Sequence, residues 1–199
     1  RYKLLSKEDY SLSVGLGGKF PIGSTEKVNN QGILLNADLQ PGSNAFDLIF
    51  SSTLIKTFDF RPTMSFMLRT TYRETGVNTS YQGVNDYEFG DEFQIFLGVS
   101  DYYFLGKEII NPDITIKYRK SFADFLNDNE IPNTGGEWFF LTPGISYNIT
   151  NAIRISTKVE IPVYSYVEGI QLTPTYRFNA GINIRILKKR ENEIFNDEN

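Results

Sequence analysis

Long strands with alternating faces, polar faces that carry charge, and connections that alternate between tight and long together predict the fold class. The longest alternating segment spans 15 residues, from 172 to 186, whereas a strand of a soluble sheet usually has about 5 or 6. These features are typical of an all-β, antiparallel transmembrane β-barrel. We predict eight strands and no helix, preceded by a strand stub at residues 1–5.

The first half of the chain contains four alternating segments: residues 10–20, 46–53, 63–73 and 92–100. In the first of these, Leu12 and Leu16 belong to an apolar set interleaved with serine and glycine. Ile49 interrupts the second segment, which is the weakest of the eight. In the third segment the polar set carries Arg69, and in the fourth the apolar set begins at Phe93. A period of two predicts a strand for each.

The second half contains the other four segments: residues 110–119, 138–149, 153–164 and 172–186. The polar set of the first carries Lys117, whereas that of the second begins with Trp138 and Phe140. In the third, the charged set starts at Arg154 and ends at Tyr164. The fourth alternates throughout its length, so we predict one strand over all of it.

The connections between these strands fall into two length classes. The long polar connections are residues 21–44, 74–90 and 120–136. The tight connections are Asp59–Arg61, Gly106–Lys107 and Thr150–Asn151. Outer-membrane barrels have short periplasmic turns and long extracellular loops, so we place the two classes on those sides. The short connection at 167–169 is an exception, because it lies on the long-loop side.

The polar face carries nearly all the charge of the predicted strands. Its thirteen charged residues are Lys19, Asp47, Arg69, Arg73, Glu92, Asp113, Lys117, Arg119, Arg154, Lys158, Glu160, Arg177 and Arg185. An Arg or Lys facing lipid at mid-membrane depth costs about 2–4 kcal/mol, so we expect all thirteen to face a lumen. Nine are basic and four acidic, which predicts a net-basic lumen in a chain of net charge −4.

A soluble barrel or sandwich shows the same alternation, with the charged face in water and the apolar face inside. Two observations favour the membrane instead. The strands are long, and aromatic residues lie near their ends, where membrane barrels carry interfacial girdles. These aromatic residues are Tyr72, Tyr102, Tyr103, Phe104, Tyr118, Tyr147, Tyr164 and Tyr166.

Composition excludes several function classes. The chain has no Cys and no His, which removes disulfides, the usual zinc ligands and every imidazole-based catalytic dyad or triad. We therefore expect no enzyme and no cofactor. A net charge of −4 argues against nucleic acid as a partner.

Acidic residues cluster in two loops, Asp86, Glu88, Asp91 and Glu92 in one and Asp124, Asp128 and Glu130 in the other. Neither matches the EF-hand spacing, so we interpret both as solvated loops.

Glycine-containing motifs recur at the strand ends. They are Gly18–Ser24, Leu39–Asp47, Tyr87–Asp91, Asn133–Gly136 and Gly169–Leu172. Such residues supply turn geometry at little steric cost, which is one interpretation of the motifs. The alternative is functional: residues 21–44 fold inward as a constriction.

These motifs resemble those of outer-membrane transporter barrels of Bacteroidota, similar to the family described as "MetA-pathway of phenol degradation". The resemblance spans about residues 1–187. It implies a channel or transport role and about twelve strands in all, so part of the barrel is expected upstream of Arg1. It supplies no catalytic residue. Such barrels often end on an aromatic residue of the last strand, whereas here a charged segment, residues 188–199, follows.

The sequence therefore predicts an outer-membrane barrel over residues 1–187 and a charged periplasmic tail over 188–199. We expect it to act in the bacterial outer membrane as a channel or transporter for small solutes. The alternative is a structural or accessory subunit of a larger outer-membrane complex, with a plugged barrel. The expected partners are outer-membrane lipid and other outer-membrane or periplasmic proteins.

Overall fold

The computed structural model describes residues 1–106, 108–150, 152–167, 169–171, 173 and 175–186. Within these ranges the chain is all-β, apart from a short 3-10 helix at Ala37–Leu39. In this described part of the chain, no helix is long and apolar enough to span a membrane. The predicted tail at 188–199 lies outside the described residues, as do Lys107 and Asn151 of two predicted turns.

The large sheet contains ten antiparallel strands. They are β1 (Tyr2–Ser6), β2 (Tyr10–Lys19), β3 (Asp47–Phe58), β4 (Arg61–Glu74), β7 (Glu92–Ser100), β8 (Tyr103–Leu105), β9 (Glu108–Ser121), β12 (Gly136–Asn148), β13 (Ile153–Tyr166) and β14 (Arg177–Ile184). Neighbours follow the order β1-β2-β3-β4-β7-β9-β12-β13-β14, with β8 paired to β9. In the described part of the sheet β1 and β14 are the edges and do not pair with each other, so the sheet is open.

All eight predicted strands are present, and the predicted stub forms β1. The segment at 92–100 has the predicted bounds, while β3 continues to Phe58 beyond the predicted 53. The predicted strand over 172–186 is too long: Leu172 and Pro174 lie outside the described residues, and β14 spans only Arg177–Ile184. Its ladder with β13 stops at Glu160, two residues before Pro162. Proline has no backbone N–H to donate, which accounts for the early end of the pairing.

Two of the three predicted long loops contain strands. These are β5 (Val77–Tyr81), β6 (Asn85–Glu88), β10 (Phe125–Leu126) and β11 (Asn129–Glu130), which form a second sheet in the order β11-β10-β6-β5. Its central contact pairs Phe125 with Glu88 and Leu126 with Tyr87. The prediction of loops throughout 74–90 and 120–136 is therefore wrong. A two-residue strand is too short to show periodicity, so this pairing has no sequence signal.

The predicted tight turn at 106–107 is part of a longer connection. After β7, the chain forms β8, which pairs back onto β9 between Tyr103 and Ile110 and between Leu105 and Glu108. Gly106 has φ +67° in the turn between them. Most side chains would be strained in that conformation, whereas glycine adopts it freely.

Burial in the large sheet is opposite to that of a soluble protein. Its buried side chains are mainly polar and include Asp47, Thr53, Glu92, Asn111, Lys117 and Ser146, together with Trp138 and Phe140. Large apolar side chains on the other face are exposed, among them Leu16, Phe50, Leu97, Ile114, Ile116 and Ile155. Side chains of β9 and β13 meet across β12 on the polar face. We therefore describe the polar face as the concave face of the sheet.

Candidate functional site

Strand register places the predicted charged residues on the concave face. Lys19 lies opposite Asp47, Arg73 opposite Glu92, and Glu160 opposite Arg177. Six others keep the same alternation in the middle of the sheet: Arg69, Asp113, Lys117, Arg119, Arg154 and Lys158. Arg185 follows the end of β14 and borders a cavity on this face.

Asp47 is the most buried charged residue of the face. Its side chain is 2% exposed and lies 3.0 Å from Nζ of Lys19 and 4.0 Å from Nε of Arg73. The backbone N–H of Gly76 also donates to it, at 3.4 Å. Lys19 in turn donates to Ser43 at 2.9 Å. A carboxylate so deeply buried needs such partners, because an unpaired buried charge is costly.

Glu92 on β7 repeats the arrangement around Asp47, two strands away from it. It accepts hydrogen bonds from Nε and Nη2 of Arg119 at 2.8 and 2.5 Å, and Nη2 of Arg73 lies 3.8 Å from it. The guanidinium of Arg119 also stacks over the ring of Trp138, 5.0 Å from the centroid. Arg73 thus lies between two carboxylates that each have a closer cation of their own.

A third pairing connects β9, β13 and β14. Nζ of Lys117 lies 2.5 Å from Glu160, and Nη1 of Arg177 lies 3.6 Å from the same carboxylate. Lys117 also sits 4.0 Å from the ring centroid of Phe140, which lies on the intervening strand β12. The ion pair and the aromatic contact fix Lys117 over the middle of the concave face.

A cavity of about 890 Å³ lies on the concave face near the tight-turn end of the strands. Lys158 pairs there with Asp113 at 2.6 Å. Arg154 donates to Asn111 at 2.6 Å and, through Nε, to Ser146 at 3.0 Å. Both acceptors of Arg154 are neutral. With Arg185 the cavity has three basic residues and one acidic residue among its lining side chains.

Alternation places Trp138 and Phe140 on this face, as members of the polar set of their segment, but does not predict their contacts. Both are buried, and their rings lie beneath Arg119 and Lys117. The assignment of Tyr164 to the charged face is wrong. The register jumps from Phe139↔Tyr164 to Phe140↔Pro162, so a bulge moves Tyr164 to the outer face.

The glycine motifs close the base of residues 21–44. Gly23 approaches Gly42 so closely that a Cβ at Gly23 would lie 2.7 Å from the Cα of Gly42. The amide of Gln40 binds both the N–H and the carbonyl of Lys27. Asn44 then connects this segment to β5 by donating to Asn78 and to Ser80, both at 3.1 Å. These contacts give the motifs a structural role.

The second sheet is held by Asp124. This carboxylate accepts the hydroxyl of Tyr87 at 2.6 Å and the N–H of Gly90 at 2.8 Å. Burial, together with the hydrogen bond to Asp124, raises the pKa of Tyr87 above its usual range. Burial also raises the pKa of Glu88. Across the described ranges, no group of three or more Asp or Glu residues could hold a metal ion.

Comparison with models of known protein families and with curated proteins found no match to this chain. The resemblance to the Bacteroidota barrels therefore stays a prediction, and the functional argument depends on the geometry of the concave face.

Proposed function

We propose that this protein is an outer-membrane β-barrel that passes small solutes along its concave polar face. The observation that carries the proposal is the inverted burial: charged residues such as Asp47 and Lys117 are buried, while Ile114 and Ile116 are exposed. An exposed apolar face is costly in water and stable in lipid. The resemblance stated above supports the same proposal.

Lipid also constrains the edges of the sheet. Backbone groups in hydrocarbon must be paired, so β1 and β14 must be joined in the membrane, directly or through further strands. The sheet then closes into a barrel with the concave face as its lumen. The tight turns lie on the periplasmic side and the second sheet on the extracellular side.

The charge of this lumen favours anions. Asp47, Glu92, Asp113 and Glu160 each lie within 4.0 Å of at least one cation. The face has nine basic and four acidic residues, a surplus of five positive charges. Charged groups that line a pore set its ion selectivity. We therefore propose an anion-preferring pathway.

Planar bilayers test this function directly. The purified whole chain should conduct, and its reversal potential under a salt gradient should show anion preference. Replacing Arg154 and Arg177 by Glu should move that potential toward cation preference, since it changes the lumen charge by four. Matched replacement of Lys27 by Glu, in the segment 21–44, should leave it nearly unchanged. Conductance with cation preference that the Arg variants do not alter would remove these residues from the pathway.

The second candidate function is a structural or accessory subunit of a larger outer-membrane complex. The second sheet favours this function, because its buried residues Tyr87 and Asn78 give the sheet a fixed surface that a partner protein could contact. This function predicts a protein that inserts but does not conduct, and that co-purifies with stoichiometric partners.

A further inference from the structure

Three successive positions on the concave face of β4 hold buried polar atoms that have no hydrogen-bond partner among the described residues. They are Nε of Arg69, Oγ1 of Thr71 and Nε of Arg73. Buried polar groups in proteins are almost always hydrogen-bonded, so a cluster of three on one strand needs an explanation. A ligand that accepts hydrogen bonds would supply it.

Arg69 lies at one end of this cluster. It makes no ion pair with any residue that the structure describes, and its guanidinium lies 5.7 Å from the ring centroid of Phe96. Thr53, which is buried, lies opposite it on β3. An aromatic ring and a threonine leave the positive charge of Arg69 uncompensated.

The two carboxylates nearest Arg73 do not provide hydrogen-bond partners for the three buried polar atoms. Asp47 is closer to Lys19, at 3.0 Å, than to Arg73, at 4.0 Å. Glu92 is likewise closer to Arg119 than to Arg73. Both acids therefore have their charge compensated from the side away from Thr71, and Arg73 keeps a free N–H.

The lateral neighbours of Thr71 are also polar. Register places Ser51 of β3 on one side of it and Gln94 of β7 on the other. Successive residues on one face of a strand are about 6.8 Å apart, so the two guanidinium groups lie on either side of the threonine. This stretch of the concave face thus has a cation at each end and neutral hydrogen-bonding groups between them.

We propose that Arg69, Thr71 and Arg73 form a binding subsite for a small oxyanion, such as the phosphate or carboxylate group of a solute. Guanidinium groups bind such oxygens through charge-assisted, often bidentate, hydrogen bonds. This inference deepens the proposed function and rests on it for the assignment of the concave face as a solute pathway. Binding itself requires no conduction.

Calorimetry on the folded whole chain in detergent micelles tests the subsite. Inorganic phosphate and acetate are the probes, with chloride as the monatomic control. Arg69→Gln should weaken binding of the preferred oxyanion about tenfold or more, and Arg69→Lys should recover part of the loss. The matched control is Lys27→Gln, which removes one charge from the exposed segment 21–44, outside the concave face, and should change affinity less than about twofold.

The two probes identify the oxyanion: tighter phosphate binding assigns a phosphate group, and tighter acetate binding assigns a carboxylate. Equal weakening by Arg69→Gln and Lys27→Gln, or wild-type binding of both oxyanions no tighter than that of chloride, overturns the subsite. Circular dichroism of each variant verifies the fold. Phosphate or acetate binding by a protein that does not conduct would contradict the proposed channel and support the subsite. Conduction without such binding would support the channel and contradict the subsite.

Discussion

Lys117 and Glu160 form a 2.5 Å ion pair across β12, with side chains only 10% and 15% exposed. The two residues lie on strands β9 and β13, which are separated by β12, so their side chains meet over the intervening strand. The pair therefore connects three strands on the polar face of the sheet.

Breaking this pair should destabilise the folded protein. Lys117→Met should lower the free energy of unfolding by about 3 kcal/mol, because it leaves a mostly buried carboxylate with only the longer contact from Arg177. Urea unfolding of lipid-refolded protein measures this change.

The double variant Lys117→Met with Glu160→Met should be closer to the wild type than Lys117→Met alone, since it leaves no charge of the pair behind. Additive losses in the double variant would show that the two charges do not stabilise each other.

Gly23→Ala should open the base of residues 21–44. The new Cβ would lie 2.6 Å from the carbonyl oxygen of Pro41, so the backbone must shift. At a typical cost of about 1–3 kcal/mol for overpacking, proteolysis within 21–44 should be about tenfold faster. Gly17→Ala is the matched control, because its Cβ would meet nothing closer than 3.9 Å. Equal cleavage rates for both variants would contradict the proposed closure.

Tyr87 should resist ionisation while the second sheet is folded. Its pKa is raised by burial and by the hydrogen bond to Asp124. The protonated hydroxyl stabilises the folded state. This contribution is fully present below the unfolded pKa of about 10 and is lost as the pH rises toward the higher pKa of the folded state. Ultraviolet titration of wild type against Tyr87→Phe should show one tyrosine that ionises only on unfolding.

Tyr87→Phe should also accelerate hydrogen exchange in β6 and β10 at neutral pH. A hydrogen bond to a charged group contributes about 1.5–3 kcal/mol, and the variant leaves Asp124 with one donor fewer. Unchanged exchange in both strands would mean that this bond does not hold the second sheet.

The proposed orientation predicts which connections a protease reaches on intact cells. Residues 21–44 contain exposed side chains such as Ile22 and Ile33, so proteinase K should cut there. The turn before β4 contains Phe60, which is 79% exposed. It should nevertheless be cut only after permeabilisation, because the proposed orientation places it in the periplasm. The second sheet should be cut slowly in both cases. Cleavage at Phe60 in intact cells would reverse the orientation.

Much of the large sheet could be predicted from the sequence because its strands are long. In a strand such as β7, every second residue faces the same environment, and the period of two is visible over nine residues. The same alternation assigns Ile116 and Lys117 to opposite faces of β9 from the sequence alone.

The remaining features depend on contacts between distant residues. The bulge beside Tyr164 depends on how β13 pairs with β12, and β10 has only two residues. The cluster around Arg69 could not be recognised either, because alternation gives the face of a residue but not its partners. Which arginines have carboxylate neighbours is decided by register across β3, β4 and β7.

The most direct test of the central claim is the environment of neighbouring residues on β9. The chain has no Cys, so a spin label can be attached at one introduced cysteine at a time. In lipid vesicles, labels at Ile114→Cys and Ile116→Cys should collide with oxygen dissolved in the bilayer, and a label at Thr115→Cys with a water-soluble nickel complex. That alternation is the result expected if the apolar face contacts lipid and the polar face lines a lumen. Equal access of the nickel complex at all three positions, or the reverse alternation, would contradict the account.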